Sequence, residues 1–218
     1  MSFRDFSFPK VEQDLGLHVR DADLFPTAPD VPVRESVAEV VREGAQLALA
    51  NSTEKAKSEF IIAPVLLELR RLAGGKIALF SGVEWDVDSA RGLAGYCDFI
   101  LTKGGSEHVL RAPFVAVVEA KNDLIRTGLG QCIASMYAAR ISNERTHERA
   151  GPVFGVVTTP KTGPERSWER SLLIRAAYME AMHCPRPVRI RSFLASTTGT
   201  NGARSTCSLP PLVMMKSQ

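Results

Sequence analysis

Phe114-Val-Ala-Val-Val-Glu-Ala-Lys121 is the stretch on which the reading turns. Pro113 bounds it and β-branched residues fill it, which predicts a buried strand over 114–121. A strand projects residues i and i+2 from one face. Glu119 and Lys121 therefore leave the C-terminal end of this strand side by side. Two opposite charges at the end of a valine run are costly unless they are solvated or used. Taken alone, Glu-Ala-Lys is a weak signal, and a solvated edge pair is its plain reading.

Working outward, Tyr96-Cys-Asp-Phe-Ile-Leu-Thr102 predicts a second strand, with Asp98 among apolar neighbours, and 76–80 predicts a shorter one. If the strands at 96–102 and 114–121 pair, Asp98 and Glu119 face each other within reach of one metal ion. Two carboxylates and a neighbouring carbonyl make an oxygen site that suits magnesium. An ammonium beside them would orient a water and stabilise charge developing on a phosphate.

Upstream, Val37, Val41, Ala45 and Leu49 recur every four residues, which predicts a helix over 35–49. Asn51 followed by Glu54 resembles a capping box that opens a second helix over 54–73. Pro64 predicts a kink or a restarted turn within it, and Gly74-Gly75 its end. Downstream, Leu129, Cys132, Ile133, Met136 and Tyr137 line the apolar side of a helix over 125–143, and 153–158 is a fourth strand. The order helix, three strands, helix, strand implies an α/β domain with a mixed central sheet flanked by helices.

The two ends read differently. Residues 1–33 are rich in Pro and Asp and predict an extended N-terminal arm. Residues 161–218 hold nine Lys and Arg against three Glu and no Asp, a basic C-terminal segment. A helix is expected over Trp168 to Met182, then irregular chain, with 192–218 poorly packed. The change in character leaves two readings open: a native basic tail that meets phosphate, or a shift of reading frame after codon 160. Residues 1–160 carry a net −3 and 161–218 a net +6, within a total of +3. The main body is thus no general basic binder of nucleic acid.

Composition narrows the class. With 218 residues, 44% hydrophobic and 23% charged, the chain has the balance of a globular domain. No apolar run approaches the length of a membrane span, and the acidic first 30 residues lack a secretory core. A cytoplasmic protein with no membrane partner is expected. Cys97, Cys132, Cys184 and Cys207 are too scattered for a zinc pattern and read as reduced, mostly buried thiols. None of the four histidines has a ligand partner at useful spacing, and Gly92, Gly95, Gly104 and Gly105 do not form a phosphate loop.

Over residues 50–160 the chain resembles the PD-(D/E)XK nuclease superfamily. The resemblance rests on Ser58-Glu59 in the first core helix, Asp98 in Gly-Tyr-Cys-Asp-Phe, Glu119-Ala-Lys121, and Gln131 in Gly-Gln-Cys-Ile-Ala. It implies a restriction-endonuclease-like αβββαβ core, placed over 34–160, and a Mg²⁺-dependent endonuclease, with Mn²⁺ as a substitute. Asp98, Glu119 and the Ala120 carbonyl would hold the metal, with Glu59 as an accessory acid. Asp98, Glu119, Lys121 and Gln131 would form the catalytic set. The implied partner is nucleic acid, DNA ahead of RNA, and a homodimer stays open. Cys97 stands where the family usually has Pro. Two rivals remain: an inactive module of this fold that binds nucleic acid or a protein, and a hydrolase of another phosphoester.

Overall fold

The computed structural model describes residues 1–21, 33–103, 108–121, 125–146, 151–160, 172–179 and 189–195. The valine-rich stretch forms strand β4 (Phe114–Ala120), and its neighbours follow the expected order. α2 (Glu35–Asn51) presents Ala38, Val41, Ala45 and Ala48 as its buried stripe. Ala56 and Ile61 of the next helical stretch pack against that stripe. A Cβ at Gly44 of α2 would overlap the Phe60 carbonyl, so the close approach of the two helices requires glycine there.

The second helix is a composite of α3 (Glu54–Lys57), a π-helical turn (Ser58–Ile62) and α4 (Ala63–Leu72). The expected irregularity at Pro64 is real, but the backbone absorbs it one turn earlier. Pro64 has no amide to donate to the carbonyl one turn back, and the wide turn falls where that bond is missing. The cap is Thr53, not Asn51: Thr53 Oγ1 accepts from the Ala56 amide at 3.1 Å, while Asn51 is the last residue of α2. Gly74 and Gly75 close the helix with φ of 66° and 71°.

Three antiparallel strands follow: β2 (Ile77–Asp88), β3 (Leu93–Lys103) and β4. β2 runs eight residues beyond the expected 76–80. Its second half alternates exposed Glu84 and Asp86 with half-buried Val83, Trp85 and Val87, and Trp85 stacks on Phe114 at 4.5 Å. α5 (Ile125–Arg145) then crosses over to β5 (Val153–Pro160), which lies parallel to β4. The crossover helix is what a parallel neighbour demands. Asn143 locks its far end, donating to the Phe114 carbonyl at 2.9 Å and accepting the Phe114 amide at 2.7 Å.

The sheet continues past β5. Its order is β1-β7-β6-β5-β4-β3-β2, with β1 His18–Asp21, β6 Leu172–Met179 and β7 Arg189–Ala195. Two expectations are corrected here. The helix expected over 168–182 is, over Leu172–Met179, a strand antiparallel to β5. Its apolar residues at 172, 173, 176 and 179 mimic helical spacing, but the open edge of β5 offers a hydrogen-bonding partner and tertiary pairing wins. The extended arm at 1–33 is, over its described part, folded. α1 (Phe8–Leu15) starts with Pro9 in its first turn, where a missing amide costs nothing, and ends at Gly16 with φ 62°. Phe3, Phe6, Val11 and Leu17 are buried in the main core. β1 pairs with β7, so 189–195 is strand rather than irregular chain. The rest of both end segments, 22–32, 161–171, 180–188 and 196–218, lies outside the described residues.

The molecule is thus an α/β protein with a mixed sheet flanked by helices. α5 covers one face with Cys132, Ile133 and Met136 over Ile100, Val117 and Val157. The composite second helix covers the other, with Ile62 of the π-helical turn and Leu66 of α4 over Phe99, Leu101, Val118 and Ala120. Among the described residues no helix is long and apolar enough to cross a membrane.

Candidate active site

The site forms where two paired strands part. β3 and β4 run in register through Leu101↔Ala116, Ile100↔Val117 and Phe99↔Val118. The next positions in that antiparallel register are Asp98 and Glu119, and there the ladder stops. The Ala120 amide donates instead to Asp98 Oδ2 at 2.8 Å. A side-chain carboxylate has replaced a backbone carbonyl as acceptor, which fixes Asp98 against the end of β4. On the other side of β4, Lys121 donates its amide to the Thr158 carbonyl of β5 at 2.9 Å.

Glu119 is 4% exposed, and its Oε1 lies 2.6 Å from Lys121 Nζ. The i, i+2 relation read from the sequence is thus a direct ion pair, buried rather than solvated. Burial, first, and the negative charge of Asp98, second, push the Glu119 carboxyl up to about 8; Lys121 pulls it back, and Glu54 adds a further push upward. The ammonium offsets only part of the cost of the neighbouring charges.

The structure therefore brings Asp98, Glu119, Ala120 and Lys121 together. Gln131 is buried on α5, its carbonyl accepting from Ser135 Oγ at 3.1 Å. Glu59 sits apart from this contact network: it is exposed and paired with Lys55 at 2.7 Å, one helical turn away. The helical acid whose charge reaches Glu119 is Glu54. The sequence held a signal for Glu54, an acid in the first turn of a capped helix, but it pointed to a cap and not to a site.

Comparison with protein-family models, with curated proteins and with solved structures gives no match for this chain.

The Asp98 and Glu119 carboxylates, with the Ala120 carbonyl that the resemblance implies as a third ligand, would offer only hard oxygens, with no nitrogen or sulfur among them. Burial and the charge of Asp98 push the Glu119 carboxyl up, and a divalent cation is a partner that would offset this. Among the described residues no three or more His, Cys, Asp or Glu groups are arranged to hold a metal ion. Two carboxylates nonetheless fit Mg²⁺, which keeps several waters and takes its other ligands from substrate phosphate. The set fits zinc or copper poorly. The buried thiols do not join it: desolvation pushes Cys97 up to about 12 and Cys132 well above its ordinary value, so neither is a thiolate near neutrality.

Proposed function

We propose that the protein is a Mg²⁺-dependent nuclease of the PD-(D/E)XK type that hydrolyses phosphodiester bonds, in DNA ahead of RNA. The observation that carries this is the group formed by buried Glu119 with half-buried Asp98 and Lys121 at the point where β3 and β4 diverge, two acids and one ammonium on adjacent strand ends. In a structural ion pair the bases hold the acid below its ordinary value, as two guanidiniums do for Glu68, whereas Glu119 stays pushed up to about 8 despite Lys121. Here the acids outnumber the base and sit in a partly desolvated place, which suits a cation and an anionic substrate. The element order helix, three antiparallel strands, crossover helix, parallel strand accords with this fold.

In this reading Asp98, Glu119 and the Ala120 carbonyl hold the cation. When bound, it supplies positive charge for the phosphate in the transition state and makes water more acidic. Each residue of the chain has its own task. The Ala120 amide orients Asp98. Glu119 holds Lys121 through the contact at 2.6 Å. Lys121 carries the positive charge that orients the attacking water and offsets charge growing on the phosphate. Gln131, buried on α5, would in this reading hydrogen-bond the lysine or a phosphate. Glu54, not Glu59, is the helical acid nearer in electrostatic terms.

The rival, an inactive module of the same fold, draws on the absence of a three-group metal cluster among the described residues. Incubation with supercoiled plasmid and with structured RNA, in Mg²⁺ and in EDTA, separates the two. Nicking or linearisation that needs Mg²⁺ is the expected result. Retention of both substrates intact with measurable binding assigns the chain to the rival.

A further inference from the structure

Gly128 lies in the first turns of α5, and its backbone makes no demand for glycine: it is not among the residues with positive φ. A helical glycine is less favourable than alanine at such a place. What excludes a side chain is its surroundings. A Cβ there would come 2.7 Å from Lys121 Cγ, 3.3 Å from Lys121 Cε and 2.8 Å from Val157 Cγ1. Val157 is β-branched and 1% exposed, with little freedom to turn aside. Lys121 Cγ is close to the root of its chain. Moving only the ammonium cannot make room; the first torsion of the side chain must change, and that swings Nζ off Glu119.

We infer that Gly128 is a positioning residue for Lys121: the side chain missing from α5 forms the slot that lays the lysine stem along the helix and delivers its ammonium to Glu119. The inference rests on the nuclease reading for what the lysine does there. A lysine stem has four rotatable bonds and no fixed geometry of its own, so a surface that confines it supplies the order a catalytic group needs. Two glycines of α5 thereby have separate tasks. Gly130 admits the Phe6 carbonyl of the N-terminal segment and serves the fold, since a Cβ there would overlap that oxygen. Gly128 faces Lys121 and serves the site. The slot also explains how a lysine at a strand end comes to be 15% exposed when solvent is its usual environment.

The test uses the full chain in four forms: parent, Gly128→Ala, Lys121→Ala and the double variant. The first readout needs no catalysis: the rate of reductive methylation of Lys121, followed by mass spectrometry. Gly128→Ala is expected to raise it several-fold as the ammonium leaves Glu119. The second is Mg²⁺-dependent plasmid cleavage, expected to fall about 10²-fold, the scale of a misplaced catalytic group, with no further fall when Gly128→Ala is added to Lys121→Ala. An unchanged methylation rate overturns the proposal, and so does an equal loss of cleavage in the Lys121→Ala background. If Gly128→Ala alone does not fold, Lys121→Ala should restore folding. Restoration by Val157→Ala but not by Lys121→Ala overturns it. Should the parent cut nothing, the nuclease reading fails while the methylation rates still decide the role of Gly128.

Discussion

Two glutamates of this protein are equally buried and sit in opposite electrostatic states. Glu68 of α4 is 2% exposed and Glu119 of β4 is 4% exposed. Glu68 is gripped by two guanidiniums, with Arg34 Nη2 and Arg71 Nη2 each at 2.7 Å and the Arg34 amide at 3.2 Å. The Arg71 hydrogen bonds, first, and those of Arg34 hold its carboxyl down to about 2, against the cost of burial. Glu119 has one ammonium and two acids in range, and burial with the charge of Asp98 pushes it up to about 8. Glu68 is a clasp: it ties the start of α2 to α4, and every lone pair it needs is answered inside the fold. Glu119 is answered only in part. A buried carboxylate left short of positive charge weakens the fold, and perturbed groups of this kind cluster at functional sites.

The comparison breaks most visibly at Glu119→Gln. This change keeps shape and removes charge, so plasmid cleavage in Mg²⁺ should be abolished. The same variant should melt above the parent at neutral pH without metal. The sign follows from linkage. A carboxyl raised in the folded state gives up protons more readily when unfolded. Its cost is absent below about 4.5, grows as pH rises towards about 8 and is complete above that. Glutamine removes the cost. A neutral-pH melt of Glu119→Gln well below that of the parent would place Glu119 with Glu68 as a clasp.

Next in size is Lys121→Ala, expected to slow cleavage by about 10²-fold while leaving Mg²⁺ binding in place, since it removes charge stabilisation and no ligand. Calorimetric titration with Mg²⁺ beside the rate assay checks both halves. Loss of Mg²⁺ binding would make Lys121 part of the ligand framework instead.

Glu68→Gln sharpens the other side. Cleavage at a temperature well below the melt should be unchanged. Stability should fall by on the order of 2 kcal/mol, because two charge-assisted hydrogen-bond pairs are weakened to neutral ones. Here the linkage sign is reversed. The carboxyl is lowered in the fold, so its contribution is present above about 4.5 and is lost as pH falls towards about 2. Urea melts of parent and variant should therefore converge as the pH is lowered through that window. A constant gap across it would assign the loss to packing rather than to charge.

What could be read in advance follows physical lines. β4 was legible because β-branched residues and a bounding proline leave little else for 114–120 to be. Asp98 opposite Glu119 was legible because strand alternation and antiparallel register are arithmetic. The N-terminal helix was not, because Pro9 reads as a breaker until one knows that it occupies a first turn. β6 was not, because 172, 173, 176 and 179 fit both periods and only the free edge of β5 decides. Glu54 and Glu59 are five residues apart on one helical stretch, and no periodicity says which of them the π-helical turn leaves nearer Glu119. Gly128 was silent altogether: a missing side chain gains meaning only when its neighbours are known.

The central claim is that Glu119, pushed up by burial and by Asp98, is relieved by a divalent cation held between the two carboxylates. Thermal melts with and without excess Mg²⁺, on the parent and on Glu119→Gln, test it most directly. The account predicts that Mg²⁺ raises the melting temperature of the parent, because the ion binds the folded state alone, and leaves that of Glu119→Gln where it was. Equal shifts in both proteins, or none in the parent, would contradict it.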